Sequence, residues 1–426
     1  MMYYPLYYFF IFSALLLGIP FFLVRMATTR RFRVGLGERF GFYRSGLLPR
    51  GEGGAIWVQA ASVGEVNAAL PLIGLLREEY PSIPVVLACQ TAAGRSTAVK
   101  KLGGQAAAIL SPLDLGPVVG RLIRRISPRI LILIETEIWP GTILAARRRG
   151  IPVVVVNGRI SDRSFPRYRR ARIFLQPVLS RIDGFGMRSE LDAGRIRVLG
   201  APPGRVRVTG NIKFDSLDLS RSPSGGGRES WGWPPDAPVI VAGSTYEGEE
   251  ELLLKAFQQL RGDFPGLKLI LAPRHLERIG AVEDLLRARG EDYRLFSRIS
   301  SADGETGLVI LDRMGVLSAL YREASVVFVG RSLRGSGGQN PIEPAAAARP
   351  IIFGPRMENF AEIAEELVLS GGAIRIDDEN RLPAVIGKVL AHPGQAAKMG
   401  TRARAAVEKR RGASRRNLEM IGEIIK

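Results

Sequence analysis

Val326 to Pro355 reads VVFVGRSLRGSGGQNPIEPAAAARPIIFGP. A β-branched apolar run, Val326 to Val329, stops at Gly330. A glycine-rich loop follows, and Asn340-Pro341-Ile342-Glu343 then opens an alanine-rich segment, which is the pattern of strand, loop and helix. Asn340 can cap that helix and Pro341 suits its first turn, while the N–H groups and dipole of a helix start attract anions such as phosphate. Taken alone, Asn-Pro-x-Glu is also sufficient as a capped helix with no ligand. Gly335, Gly337 and Gly338 favour the ligand reading, because clustered glycines are costly in backbone entropy unless something approaches the backbone closely.

The same alternation extends outward from this stretch. Strands are expected at Val239 to Ala242, Lys268 to Leu271, Leu308 to Leu311 and Ile351 to Phe353. An earlier set lies at Ile56 to Ala60, Pro84 to Ala88, Ala107 to Leu110, Ile130 to Ile134, Val153 to Val156 and Gly184 to Met187, with helices such as Val66 to Tyr80 and Thr142 to Arg149 between them. Continuous apolar strands separated by helices describe parallel sheets covered on both faces. A chain of 426 residues is long enough for two such domains. The Ser-, Gly- and Pro-rich segment 215–238 reads as a linker. The expected organisation is therefore 1–25, 26–214, the linker 215–238, 239–392 and a basic helical tail at 393–426. Two doubly wound domains facing a cleft bind ligands at the carboxyl ends of their strands.

Net charge is +19 and unevenly placed. Residues 1–213 hold 31 Lys and Arg against 12 Asp and Glu, whereas the remainder holds 29 of each. That surplus points to an acidic partner, whether nucleic acid, an anionic membrane or a phosphorylated substrate, although an arginine-rich solvated surface is a sufficient bland account. Cys89 stands alone, which excludes an intramolecular disulfide, and in its apolar run it reads as a buried thiol. His275 and His392 are the only histidines, too few for a zinc cage. No metal site is expected.

Met2 to Val24 carries no charge and is followed by Arg25, Arg30, Arg31 and Arg33. It is long enough to cross a bilayer, and the basic flank would hold the rest of the chain on the cytoplasmic side. A helix that dips into one leaflet is the alternative; either form is an N-terminal membrane anchor.

Polar groups gather where strands end. Ser62-Val63-Gly64-Glu65, Thr91 to Gly94, Ser244 to Glu250 and Asn340 to Glu343 each follow a strand, and each is sufficient as a helix start. Glu135 and Glu137 follow the strand Ile130 to Ile134, where a salt bridge to an arginine and a substrate role are equally open. Arg274 follows another strand, where it can bind phosphate or lie as an ordinary surface residue; His275 beside it reads as a support. Glu38, inside Gly37-Glu38-Arg39-Phe40-Gly41, is a turn residue by spacing alone. Its place just past the anchor would set it beside a lipid head group.

Together with Asn157 to Ser161, Thr209 to Asp215 and Gly337 to Pro344, these segments resemble, in order and over nearly the whole chain, the 3-deoxy-D-manno-octulosonic acid (Kdo) transferases of lipopolysaccharide synthesis. The resemblance implies a GT-B glycosyltransferase with an N-terminal acceptor-binding domain and a C-terminal domain that binds the CMP-sugar. It would be anchored on the cytoplasmic face of the inner membrane, moving Kdo from CMP-Kdo to the phosphorylated lipid A precursor with inversion and without a metal or cofactor. On that resemblance Glu38 is the general base. Arg274, the backbone at Met314 and Gly315, Asn340 and Glu343 form the CMP set, and Ser62, Gly64, Glu65, Glu135, Glu137, Arg159 and Lys213 are acceptor or cleft candidates. Gln59, Tyr246 and Gln339 stand where the family often has His, and Val316 where it often has Glu. Two other readings compete: a GT-B transferase of another nucleotide sugar, such as a UDP-hexosamine, and a membrane-tethered nucleic-acid-binding protein. The second lacks a recognised motif and aromatics among its basic clusters, so no nucleic-acid partner is expected.

Overall fold

The computed structural model describes residues 35–44, 46–49, 53–215, 228–299 and 306–425. The anchor expected at 1–25 lies outside them. Among the described residues no helix is long and apolar enough to cross a membrane. The described residues up to Asp215 and from Arg411 onward form one compact unit, and those from Arg228 to Arg410 form the other.

The first unit is a seven-stranded sheet built from β1 (Ala55–Ala60), β2 (Val85–Cys89), β3 (Ala107–Leu110), β4 (Pro128–Ile134), β5 (Val153–Gly158), β6 (Gly184–Met187) and β7 (Val206–Val208). Their order is β3-β2-β1-β4-β5-β6-β7, and every pairing is parallel. The unbroken apolar runs follow from burial on both faces. Along β1, β4 and β5 alternate residues enter two different cores: Trp57, Leu131, Leu133, Val153 and Val155 one, Ile56, Val58, Ile132, Val154 and Val156 the other. Each such aliphatic side chain contributes about 1.5–3 kcal/mol relative to an exposed one.

The second unit repeats the plan with β8 (Val239–Thr245), β9 (Lys268–Pro273), β10 (Arg294–Leu295), β11 (Leu308–Ile310), β12 (Val326–Val329), β13 (Ile351–Phe353) and β14 (Ala373–Arg375). The order is β10-β11-β9-β8-β12-β13-β14, again parallel throughout. The direction of strand progression reverses between β1 and β4 in one sheet and between β8 and β12 in the other. Such switch points leave a crevice at the carboxyl ends of the flanking strands.

Three strands lie outside the sequence expectation: β7, β10 and β14. Each contains an arginine and sits on a sheet edge. An edge strand has one exposed side, so it needs no continuous apolar run.

The segment read as linker is partly core. Trp231 and Trp233 are buried in a T-shaped pair 5.1 Å apart, and the Trp233 indole N–H donates to the Thr306 carbonyl at 2.9 Å. Ser, Gly and Pro around them hid two aromatics that the second unit uses as ballast. The tail read as one helix is two, Pro393–Glu408 and Ala413–Gly422, broken at Gly412, whose φ of 86° suits glycine. The first belongs to the second unit. The second returns to the first unit, where Leu418, Met420 and Ile421 join the core beside Leu72 and Ile73.

Asp215 fastens that return. Its Oδ1 accepts the Gly412 N–H at 2.7 Å and its Oδ2 the Ser414 N–H at 2.6 Å, while Arg416 Nε donates to the Thr209 carbonyl at 2.8 Å. A carboxylate that satisfies the first amides of a helix acts as its cap. Asp215→Ala is expected to cost about 0.5–2 kcal/mol. A lower urea midpoint, with faster amide exchange across 413–422, is the measurement that checks it.

Candidate active site

Ser62 ends the turn after β1 and caps the helix Val63–Glu79. Its hydroxyl accepts the Glu65 N–H at 3.3 Å and donates to Glu65 Oε1 at 3.0 Å, and Glu65 Oε2 accepts the Ala61 N–H at 2.7 Å. This is a reciprocal capping box, with Gly64 exposed in its first turn. The box sits at the β1–β4 switch point, opposite the residues that follow β4. There Glu135 adopts a left-handed φ of 59°, a conformation that costs a non-glycine residue energy and that concentrates at functional sites.

Glu135 Oε1 is paired with Lys213 Nζ at 2.7 Å, so the salt-bridge reading holds with a lysine as partner. Glu137 Oε2 accepts the Trp139 indole N–H at 2.7 Å. Between them Thr136 exchanges hydrogen bonds with the Arg159 backbone at the end of β5. Asp114, absent from the sequence reading, orders the far side: it accepts the N–H groups of Gly141 (2.8 Å) and Thr142 (2.6 Å) at the start of helix Pro140–Arg147. Ser62, Glu65, Glu135, Glu137 and Lys213 are thus brought together at one strand edge. Burial, then the negative charges of Glu135 and Glu137, push Glu65 up to about 7, against the pull of its own hydrogen bonds. Burial also raises Glu137.

Glu38 lies in the short helix Leu36–Arg39, packed on the carboxyl end of β3. Its Oε2 accepts the Leu110 N–H at 2.7 Å and its Oε1 pairs with Arg95 at 2.8 Å; the side chain is 12% exposed. Gly35 permits this approach, since a Cβ there would fall 2.0 Å from Leu110 Cδ1. Burial and the nearby Glu38 charge raise the Tyr43 phenol. The glutamate is therefore more than a turn residue: it is a fixed carboxylate on the sheet's carboxyl edge. Cys89, at the end of β2, is buried and pushed up to about 12, chiefly by that burial.

In the second unit Asn340 and Glu343 follow β12 at the β8–β12 switch point, whereas Arg274 follows β9 and Met314 and Gly315 follow β11. Asn340 Nδ2 donates to Glu343 Oε1 at 3.1 Å, and its Oδ1 accepts the Ile342 N–H at 3.0 Å at the start of the five-residue helix Ile342–Ala346. Buried Tyr321 feels the Glu343 charge. Arg274 is exposed, its backbone N–H bonded to the Thr245 carbonyl at 3.1 Å. Met314 is 63% exposed beside Gly315, whose φ is 86°.

Two expectations change here. The glycines do serve close approaches, but by the chain itself: a Cβ on Gly337 would meet Asn359 Nδ2 at 2.3 Å, and one on Gly338 would meet Met357 Sδ at 2.4 Å. The junction after β8 is not a hydroxyl cap either, because helix Glu249–Leu260 starts from Gly248 with no side-chain cap. Glu250 instead accepts from Thr245 Oγ1 (2.9 Å) and Arg278 (2.9 Å). Glu249, to which the sequence assigned no role, is buried and bonded to five backbone N–H groups. The only signal for it was a run of three glutamates, Glu249 to Glu251, shortly after a buried strand. Tyr246 lies with its ring 6.0 Å from that of His275 and beneath the Arg331 guanidinium at 5.1 Å.

Two parallel α/β domains with polar residues at both switch points define a GT-B glycosyltransferase fold. A crystal structure of a glycosyltransferase from Rickettsia africae shares it, with a TM-score of 0.58 over 88% of this chain and 99% of that one at 14% identity. Residues 34–216 match the sequence model of the family described as 3-Deoxy-D-manno-octulosonic-acid transferase (kdotransferase). The chain is 33% identical over 401 residues to the 3-deoxy-D-manno-octulosonic acid transferase of Haemophilus influenzae, covering 92% of this chain and 91% of that protein. The enzyme of the same description from Bordetella pertussis is 33% identical over 379 residues, 86% of each. The chain belongs to the Kdo transferase family.

The Glu65 cluster sets a pH dependence. Unfolded, Glu65 ionises near 4.5; folded, it holds its proton to about 7. The folded state therefore binds more protons between those values, and this contribution to stability is full below 4.5 and lost as pH rises through about 7. Denaturant midpoints measured across that window should fall with rising pH in the wild type, and Glu65→Gln should flatten the slope.

Proposed function

We propose that this Kdo transferase takes Kdo from CMP-Kdo and places it on a hydroxyl of the phosphorylated lipid A precursor, inverting the anomeric carbon, with Glu38 as the base. The observation that carries this reading is the fixed Glu38 carboxylate, held by one amide and one guanidinium with its outer face at the carboxyl edge of the sheet. As the acceptor oxygen bonds to the anomeric carbon, its proton passes to Glu38. The bond from that carbon to the phosphate oxygen breaks, and CMP leaves. An anionic leaving group gains from fixed positive charge and oriented donors; Arg274 and the Asn340–Glu343 turn are the candidates, with the Glu343 carboxylate suited to ribose hydroxyls.

A monophosphate leaving group of this kind can be stabilised without a metal, by fixed cationic and hydrogen-bonding groups. The acceptor is a lipid, which fits an enzyme held at the cytoplasmic face of the inner membrane by the uncharged segment ahead of Arg25. Glu65, Glu135, Glu137 and Lys213 would then meet the acceptor side.

Glu38→Gln keeps the shape and removes the basicity. Turnover should drop by about 10²–10⁴, with CMP affinity and thermal midpoint close to wild type, as measured by mass spectrometry of the lipid product and by calorimetry. Turnover within a few-fold of wild type would remove Glu38 from the chemistry. Separately, EDTA should leave transfer from preformed CMP-Kdo intact; a loss restored by Mg²⁺ would overturn the metal-free reading.

A further inference from the structure

Glu249 Oε2 accepts the N–H groups of Tyr246 (2.9 Å) and Arg331 (2.6 Å), and Oε1 those of Ser332 (3.0 Å), Leu333 (3.0 Å) and Arg334 (3.2 Å). Four successive amides converging on one point make a backbone nest, a concavity that elsewhere binds phosphate or another anion. Here a carboxylate from the chain fills it. The side chain is fully buried, and an ionised carboxylate is tolerated there only because donors surround it.

The nest is also a platform. The carbonyls of the same loop face the next turn: Gly330 accepts from Gln339 N–H at 3.1 Å, Arg331 from Gly338 N–H at 3.2 Å, and Ser332 from Arg356 N–H at 3.1 Å. The Ser332 hydroxyl accepts the Gly354 N–H at 2.9 Å. Asn340 follows directly on Gln339. Arg331 is held at a φ of 57°, a conformation a non-glycine residue keeps only when its surroundings impose it. The bond from its N–H to Glu249 is one such constraint.

We infer that Glu249 is a positioning residue for the donor: by occupying the 331–334 nest it fixes the loop on which Asn340 and Glu343 are mounted. A corollary is that the amides of 331–334, already taken by Glu249, do not bind the donor phosphate. The inference rests on the reading of CMP-Kdo as donor and concerns residues of the second unit alone.

Glu249→Gln replaces one acceptor oxygen by an N–H₂ that faces amide donors, so the nest opens. Its expected effects are faster hydrogen exchange at 331–334 and an increase of about tenfold or more in the CMP dissociation constant and in KM for CMP-Kdo, with kcat within about threefold. Glu249→Ala leaves the nest empty. Sodium formate should then restore CMP affinity in that variant, but not in the wild type, and sodium chloride at equal ionic strength should not. Unchanged exchange at 331–334 in Glu249→Gln overturns the inference. So does changed exchange with unchanged CMP affinity, a loss confined to kcat, or failure of both variants to fold, which would make the residue purely structural. A wild-type chain that takes up no CMP overturns the donor reading and this role with it, whereas wild-type binding retained by both variants overturns this role alone.

Discussion

A parallel strand buried on both faces has nowhere to place charge except at its ends. The inner strands of both sheets obey this constraint, with charge only at Arg129 and Lys268 near their starts, and the chemistry of the molecule follows from it. Within β1, β4 and β5 the side chains serve the cores above and below. The first residues past the carboxyl ends include Ser62, Glu135, Arg159 and Arg274, and Thr245 is the last residue of β8. Four residues at these edges, Glu135, Asn157, Ser244 and Arg331, hold a left-handed backbone without being glycine. Three of these, Glu135, Ser244 and Arg331, lie at the carboxyl ends of β4, β8 and β12, which flank the switch points.

Several carboxylates, Glu38 and Glu249 among them, are held by backbone amides. Glu38 takes the Leu110 N–H, Asp114 those of Gly141 and Thr142, Asp192 that of Ile160, Asp215 those of Gly412 and Ser414, and Glu249 five at once. An amide donor is fixed by the fold and carries little rotamer entropy, so such a bond orients a carboxylate more firmly than a long flexible cation does. Part of the arginine surplus of the first half lies on the surface: five arginines from Arg163 to Arg172 are exposed along and just before two helices.

Much of the architecture was legible in the sequence because a strand buried on two faces must be apolar throughout. That requirement locates β4 and β5 within a residue or two. The edge strands β7, β10 and β14 escaped it because one exposed side tolerates arginine. The motif residues were legible as positions, and Ser62 with Glu65 even as a capping box, because that interaction spans three residues. Glycines in the loop after β12 signalled close approach correctly, but a sequence does not say which atoms approach.

What the sequence determined by itself was everything set by local pattern or short spacing: two sheets of parallel strands, helix starts at their ends, and the ordered motifs of the Kdo transferase family. The tertiary structure alone decided partners. Glu38 meets the amide of Leu110, 72 residues away, because the sheet order places the end of β3 beside the segment that precedes β1. Glu249 meets the loop after β12 because β12 lies next to β8. Asp215 receives a helix almost two hundred residues later. Contacts of that kind depend on which strand ends become neighbours, and neighbourhood is fixed by the crossover connections of the whole sheet rather than by any stretch of residues.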